Sequence, residues 1–313
     1  MKTFAIIGTG AVGGYCAIKL IQAGFDVHCL LNSDYEHVKK NGLVLIDPDG
    51  NVAVPVKAYN HANQMPCCDV IIVSIKTTAN PILKDILPPL MHDSSVVVIL
   101  QNGIGIEDEI ASFIDSNKII GASSLIKVTK ISPGTIQYFG FGIMEFAQYY
   151  KDEKRSATTK NVEQLAVIFN KIGYQSTAMP HLNTIRWKKL AANIPVSGLS
   201  VVLNANTQQI VQDEASYNLL IAMTKEVIES ARTCGADIPS DFLSVRIKII
   251  EQLKSMEPSN FSMKDDFDQK KPLELHAIYE NAIQIAKKHQ VQMPLTEMLY
   301  YQLVYLDGKN RKF

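Results

Sequence analysis

The stretch that most restricts what this chain can fold into is Thr3-Phe4-Ala5-Ile6-Ile7-Gly8-Thr9-Gly10-Ala11-Val12-Gly13-Gly14, which continues into Tyr15-Cys16-Ala17-Ile18-Lys19-Leu20. A β-rich apolar run breaks into Gly-x-Gly-x-x-Gly and opens an amphipathic stretch, so it reads as strand, tight turn and helix. In that arrangement Gly8 takes the positive φ of the turn, Gly10 lets a pyrophosphate approach the backbone, and Gly13 lets the helix pack on the strand. The N–H groups at the helix start would hold the phosphates, with Thr9, Ala11 and Val12 completing the turn. The glycine pattern alone is a weak signal. Its position between a strand and a helix makes it a candidate dinucleotide site rather than a structural turn.

At 313 residues the chain exceeds what one hydrophobic core usually holds, which points to two domains. Its 31 basic residues balance its 31 acidic ones, so no whole-chain field draws it to nucleic acid or an anionic membrane, and neither partner is expected. Apolar runs such as Val96 to Leu100 are far too short to span a bilayer. No signal-peptide core precedes the glycines, which reads as a cytoplasmic chain. The five cysteines show no metal-ligand spacing, so no metal site is expected, and Cys67-Cys68 lacks the spacer of a redox motif.

In chain order, Gly24 stops the first helix and Phe25 to Leu31 forms a second strand, completing a βαβ unit. The end of that strand should meet the adenosine ribose. Leu31-Asn32-Ser33 offers no carboxylate for a 2′-hydroxyl, and Asp34 comes too late, which favours NADP over NAD. No arginine stands there either, so a 2′-phosphate would depend on Asn32, Ser33 or a lysine such as Lys39 or Lys76. Gly42 to Ala58 reads as a hairpin around Asp49-Gly50. Asp69 to Ile75 reads as a buried parallel strand delivering Lys76 at its ligand-facing end, and Ser95 to Leu100 as another ending in Gln101-Asn102-Gly103. A helix is expected over Asn80 to Met91, strands over Lys118 to Ile126 and Thr135 to Phe139 around a Pro133-Gly134 turn, and a loop over Lys151 to Lys160. A helix over Val162 to Lys171 and an edge strand over Tyr174 to Ala178 complete the first half.

Beyond Pro180 the strand signal disappears. Helices are expected over Thr184 to Val202, Gln208 to Arg232, Asp241 to Met256 and Leu273 to His289, with a last one after Pro294. The expected architecture is α/β: a Rossmann-type, mostly parallel sheet domain over residues 1–179, then an all-helical domain over 180–313 that carries substrate and catalytic groups. Pro195 should kink the first of these helices.

That helix carries Trp187-Lys188-Lys189-Leu190-Ala191-Ala192-Asn193. Together with the opening glycines, Gln101-Asn102-Gly103, and Ser262-Met263 followed twelve residues after the serine by Glu274, the chain resembles the ketopantoate reductase (2-dehydropantoate 2-reductase) family along nearly its whole length. The resemblance implies NADPH reducing a 2-oxo acid in a cleft between the two domains, in pantothenate and coenzyme A biosynthesis. It places Lys189 on the family's catalytic lysine, Asn193 on a substrate-binding asparagine, and Glu274 on a catalytic glutamate that also reaches the nicotinamide end of the cofactor. It places Ser262 on the serine that holds the substrate carboxylate, and Lys76 and Asn102 on cofactor contacts, Asn102 also reaching a substrate oxygen. The spacing of Lys189 and Asn193 independently puts them on one helix face. Hydride attack on a ketone builds charge on its oxygen and needs a nearby proton donor, a task for a lysine held charged and oriented by a glutamate.

The chain departs from that pattern in places. Asn32 stands where the family has an arginine for the 2′-phosphate. Ser197-Gly198 stands where it has Asn-Pro, so Ser197 meets the part of the pocket that recognises the far hydroxyl of ketopantoate. His276 and Glu280 follow the catalytic glutamate where aspartate and glycine are common, and Tyr138 replaces a histidine. Two rivals follow: a reductase of another 2-oxo acid on the same scaffold, or a protein that senses NAD(P)H without catalysis. The expected partner is a small 2-oxo acid, and the sequence leaves room for a homodimer.

Overall fold

Short runs of Val and Ile become buried strands of one sheet, and longer runs of helical period become helices. The computed structural model describes residues 1–152 and 155–311. Its first compact unit comprises Met1–Gln101 and Ile106–Leu182; the second runs from Asn183 and takes in the four residues Asn102–Gly105.

The sheet unit contains, in order, β1 (Thr3–Ile7), α1 (Ala11–Gln22), β2 (Asp26–Leu30), α2 (Tyr35–Asn41), β3 (Leu43–Ile46), β4 (Val52–Val54), β5 (Lys57–Tyr59), β6 (Val70–Val73), α3 (Leu83–Ile86), β7 (Val96–Ile99), α4 (Ile106–Ile110), β8 (Ile119–Ser132), β9 (Thr135–Gln148), α5 (Lys160–Lys171) and β10 (Gln175–Ala178). The sheet order is β4-β3-β9-β8-β7-β6-β1-β2-β5, with β10 also on β9. β1 pairs parallel with β2 and with β6, so the strand order reverses beside β1, and Gly8, Asn32 and Lys76 follow the C-terminal ends of three neighbouring parallel strands. That is the ligand-binding edge of an open α/β sheet. β8 and β9 form the long antiparallel hairpin, and β3 and β4 the short one expected around Asp49-Gly50.

The helical unit contains α6 (Leu182–Val202), α7 (Thr207–Gln212), α8 (Glu214–Thr233), α9 (Phe242–Gln252), α10 (Ser262–Asp268), a π-helical turn (His276–Glu280), α11 (Asn281–Lys288) and α12 (Pro294–Asn310). Its core includes Trp187, Leu190, Ile194, Leu220, Val227, Tyr279 and Leu303. No helix among the described residues is long and apolar enough to cross a membrane.

Several elements differ from expectation. Asn80 to Met91 is a chain of short turns, 3-10 at Thr77–Ile82 and Pro88–Leu90 around the four-residue α3, because Pro81, Pro88 and Pro89 remove amide donors and crowd the preceding turn. The helix expected from Gln208 to Arg232 is broken at Asp213, whose carboxylate accepts from the Ser216 N–H at 2.8 Å and caps α8. The Leu273–His289 stretch begins with two residues in no regular element, Leu273 and Glu274, and the π turn follows. Ser262, given no element from the sequence, opens α10. The β8–β9 strands run 14 residues each, well past the expected ends. α6 spans 21 residues with Pro195, the position of the expected kink, inside it. Of the loop expected over Lys151 to Lys160, residues 153 and 154 lie outside the described residues, and Lys160 already begins α5, capped by Thr159.

Candidate active site

The glycine turn has the geometry its residue types call for. Gly8 has φ +94°, and a Cβ there would lie 2.6 Å from Ile75 Cγ2. A Cβ on Gly13 would come within 2.1 Å of the Gly8 carbonyl oxygen and 2.2 Å of Ser74 Oγ, so α1 crosses β1 at a distance only glycine permits. Ser74 Oγ donates to the Gly8 carbonyl at 2.6 Å and pins the turn to β6. At Gly10 a Cβ would meet nothing within 4 Å, leaving open space over the backbone. Gly10 is the N-cap of α1, no side chain caps that end, and no acidic residue occupies the first turn. Bare helix N–H groups beside open space, with no competing carboxylate, fit a pyrophosphate. Thr9 is buried, and Ala11 and Val12 are half-buried in the same turn.

Past β2, Asn32 and Ser33 are exposed, while Asp34 is buried and fully engaged. Its carboxylate pairs with Lys130 at 2.5 Å and accepts the Gly134 N–H at 3.1 Å and the Ser33 hydroxyl at 3.1 Å. Burial alone would raise the Asp34 pKa, but the Lys130 and Gly134 hydrogen bonds outweigh it and hold the carboxyl below its ordinary value. Asp34 therefore ties the β8–β9 turn to the end of β2. Lys130 reaches this corner from 96 residues away in sequence, and the sequence offered no local signal for it. Of the lysines named from the sequence, Lys39 lies over its own helix neighbour Tyr35, 5.2 Å from the ring centre. Lys76 is exposed at the end of β6.

The helical unit gathers a second set of groups. Lys189, Asn193 and Ser197 recur at four-residue intervals along α6 and share a face. Asn193 and Ser197 are buried, and the Asn193 amide donates to Asn102 Oδ1 at a long 3.5 Å. The Asn102–Gly105 segment is fixed within this unit: the Ile104 N–H donates to the Ala277 carbonyl at 2.9 Å, and Asn281 Nδ2 donates to the Ile104 carbonyl at 2.7 Å. Gly103 has φ +116°, and a Cβ there would sit 2.5 Å from the Ala277 oxygen. The π turn thus shapes the seat of Asn102, a use of π-helical geometry common near functional sites.

Burial pushes the Lys189 ammonium from its ordinary 10.5 down to about 8, and the positive charge of Arg246 pushes in the same direction. Glu274 is buried at 5% exposure, immediately ahead of the π turn. Ser262 is exposed at the start of α10, unlike Ser197. Two residues that no motif singled out also stand out here. Tyr279, wholly buried, donates to the Ile194 carbonyl at 3.0 Å, and Arg246 on α9 holds a buried Nε with no hydrogen-bond partner among the described residues. His276 pairs with Glu280 at 2.9 Å on the surface, and Tyr138 stacks on Tyr15 with ring centres 4.9 Å apart.

A strand–glycine–helix turn at the switch point of a parallel sheet, with a lysine tuned toward neutral pH in a following helical unit, defines a nicotinamide-dependent oxidoreductase. Residues 4–151 match the family profile described as Ketopantoate reductase PanE/ApbA, and residues 181–305 match its C-terminal counterpart. The chain belongs to the ketopantoate reductase family. It is 39% identical over 311 residues to the 2-dehydropantoate 2-reductase of Nostoc sp., covering 99% of this chain and 97% of that protein. The crystal structure of 2-dehydropantoate 2-reductase from Geobacter metallireducens superposes with TM-score 0.91 at 29% identity, covering 97% of this chain and 99% of that one. D-mandelate dehydrogenase in its ternary structure with NADH and anilino(oxo)acetate shares the fold, with TM-score 0.85 at 19% identity, covering 98% of this chain and 99% of that one.

Proposed function

We propose that this protein reduces 2-dehydropantoate to pantoate with NADPH, in the synthesis of pantothenate. The family and the 39% identical 2-dehydropantoate 2-reductase support this activity. The observation that carries the mechanism is Lys189, a desolvated ammonium whose pKa of about 8 suits a general acid at neutral pH. When bound, the dinucleotide supplies a hydride to the carbonyl carbon. Lys189 gives its proton to the carbonyl oxygen as negative charge grows there, and Glu274 orients the lysine and the substrate. Asn193 and Asn102 hold substrate oxygens through their amides, Ser197 meets the distal hydroxyl, and Ser262 contacts the carboxylate. Gly8, Thr9, Gly10, Ala11, Val12 and Gly13 cradle the pyrophosphate, and Lys76, Asn102 and Glu274 complete the cofactor contacts.

The preference for NADPH rests on the end of β2. A carboxylate that would accept from a ribose 2′-hydroxyl is missing at Asn32, and Asp34 is consumed by Lys130 and Gly134. The Asn32 amide, and the ammonium protons of Lys130 beyond its Asp34 pair, supply donors for a 2′-phosphate. Initial rates with NADPH and NADH, each with ketopantoate, test both halves of the reading. A preference for NADPH supports it, and equal or better use of NADH overturns the cofactor assignment. Lys189→Ala should lose turnover while binding NADPH as the wild type does, and retained turnover would refute the proton donor. A solved relative from Staphylococcus aureus is described as a dimeric ketopantoate reductase, and a homodimer is the assembly we assign here, to be checked by light scattering.

A further inference from the structure

A 2-oxo acid brings a full negative charge on its carboxylate into the pocket, and none of the groups assigned so far to that end carries a compensating positive charge. Ser262 and the two asparagines are neutral, and Lys189 is committed to the carbonyl oxygen. A cation nonetheless stands in the right part of the helical unit. Arg246 belongs to α9, a helix that packs on α8 and exposes Ser244, Val245, Lys248 and Ile249. Arg246 behaves differently, with its Nε buried and without a hydrogen-bond partner among the described residues. A buried guanidinium N–H left unpaired is costly, and protein structures rarely keep one without a use. Burial also lowers the pKa of Arg246, though an arginine remains charged throughout the working range of a protein.

Its second distinguishing feature is its neighbour. The Arg246 charge bears on Lys189, so two cations converge in one partly desolvated region. Two like charges repel there; Glu274, proposed to orient Lys189, answers one of them, and an anion placed beside Arg246 answers the other while satisfying the unpaired donor. The planar fork of an arginine also matches a carboxylate in two parallel hydrogen bonds, which a serine hydroxyl or a lysine cannot do.

We propose that Arg246 binds the carboxylate of the 2-oxo acid, donating through its inward-facing guanidinium edge and thereby orienting the adjacent carbonyl toward Lys189. This assignment rests on the reductase reading above and adds a charge-specific selector to it: Arg246 is what makes the enzyme choose acids over neutral ketones. It is a substrate-binding residue and takes no part in proton transfer.

The test compares ketopantoate with its primary amide, which keeps every group except the charge, in the wild type, Arg246→Gln and Arg246→Lys. Wild-type enzyme should favour the acid strongly. Arg246→Gln should raise KM for the acid about tenfold to a hundredfold, the worth of a charge-assisted hydrogen bond, with KM for the amide unchanged. Arg246→Lys should recover part of the loss. An acid-to-amide ratio of kcat/KM unchanged in Arg246→Gln would overturn the assignment. If that variant does not fold, Arg246→Lys decides, because a lysine lacks the fork: a several-fold drop in the ratio is expected, and no drop refutes the proposal. Calorimetric titration of pantoate onto the NADP⁺ complex separates this inference from the reading beneath it. Wild-type binding without turnover would sink the reductase reading yet leave Arg246 testable by at least tenfold weaker pantoate binding in Arg246→Gln. Turnover with equal pantoate affinity in both proteins would sink Arg246 alone. No pantoate binding by the wild type would sink both.

Discussion

The pH profile of turnover should report the environment of Lys189 directly. A proton donor works only in its protonated form, and burial followed by the charge of Arg246 brings this lysine to about 8. The protonated fraction is then about 0.9 at pH 7 and about 0.09 at pH 9, so kcat/KM for ketopantoate, which reports the enzyme before the oxo acid binds, should fall about tenfold over that interval. A solvated lysine near 10.4 would lose only about 4% over the same range, a difference no assay could miss. The measurement is kcat/KM for ketopantoate at saturating NADPH from about pH 6 to pH 10, repeated with cofactor deuterated at the transferred position, the isotope effect showing that the chemical step is being read. The charge of Arg246 contributes to the depression, so Arg246→Gln should move the alkaline limb to higher pH. A wild-type profile flat through pH 9 while the isotope effect is fully expressed would refute the claim that a desolvated Lys189 is the acid.

The remaining predictions concern stability as well as rate. Between about pH 8 and 10.5 the unfolded chain holds the Lys189 proton and the native one has released it, so this residue makes stability rise with pH across that window; urea unfolding of Lys189→Met should show a shallower rise. Gly103→Ala forces a Cβ to 2.5 Å from the Ala277 oxygen at φ +116°. It should cost about 3 kcal/mol by urea unfolding and lower kcat/KM by displacing Asn102, whereas a loss within error would mean the segment shifts freely. Gly198→Ala places a Cβ 2.4 Å from Leu299 Cδ2 and 2.7 Å from Tyr279 Oη. It should cost about 1–3 kcal/mol, and a cycle with Tyr279→Phe should be non-additive because the two sites share that contact. Asp34→Ala strands Lys130 and the Gly134 N–H and should cost about 2–3 kcal/mol at neutral pH, with the native advantage of Asp34 fading in the wild type as acid protonates it.

Sequence made the sheet unit legible where local pattern decides the outcome. The Gly8 turn, β6 and β7 follow from apolar runs and glycine spacing, because a strand buried on both faces and a turn needing positive φ each leave a mark within a few residues. The pattern misled where chemistry interrupts the period without changing it. Asn80 to Met91 keeps helical hydrophobicity yet cannot be one helix around Pro81, Pro88 and Pro89. The run through Asp213 looks continuous until its carboxylate is seen capping α8. Lys189, Asn193 and Glu274 were marked by family resemblance, since nothing in the composition of a lysine beside a tryptophan distinguishes a desolvated ammonium from a solvated one.

What stayed hidden are pairings made at long range. Lys130 meets Asp34 through the β8–β9 hairpin, and Asn102 meets Asn193 only because the π turn accepts Gly103 and Ile104 against Ala277. These contacts share a logic. Each fixes a group whose own segment is too short or too irregular to hold it: Asn102 lies in a four-residue excursion into the helical unit, and the Pro133-Gly134 turn is tied down at Asp34. The α6 face proposed to meet the substrate needs no such help, because 21 residues of helix place Lys189, Asn193 and Ser197 by periodicity. Substitutions at Lys189, Asn193 or Ser197 should therefore alter chemistry with less loss of stability than substitutions at Trp187, Leu190 or Ile194, which α6 contributes to the core. Substitutions at Gly103 or Asp34 should lose stability and activity together, since there the same bond serves both.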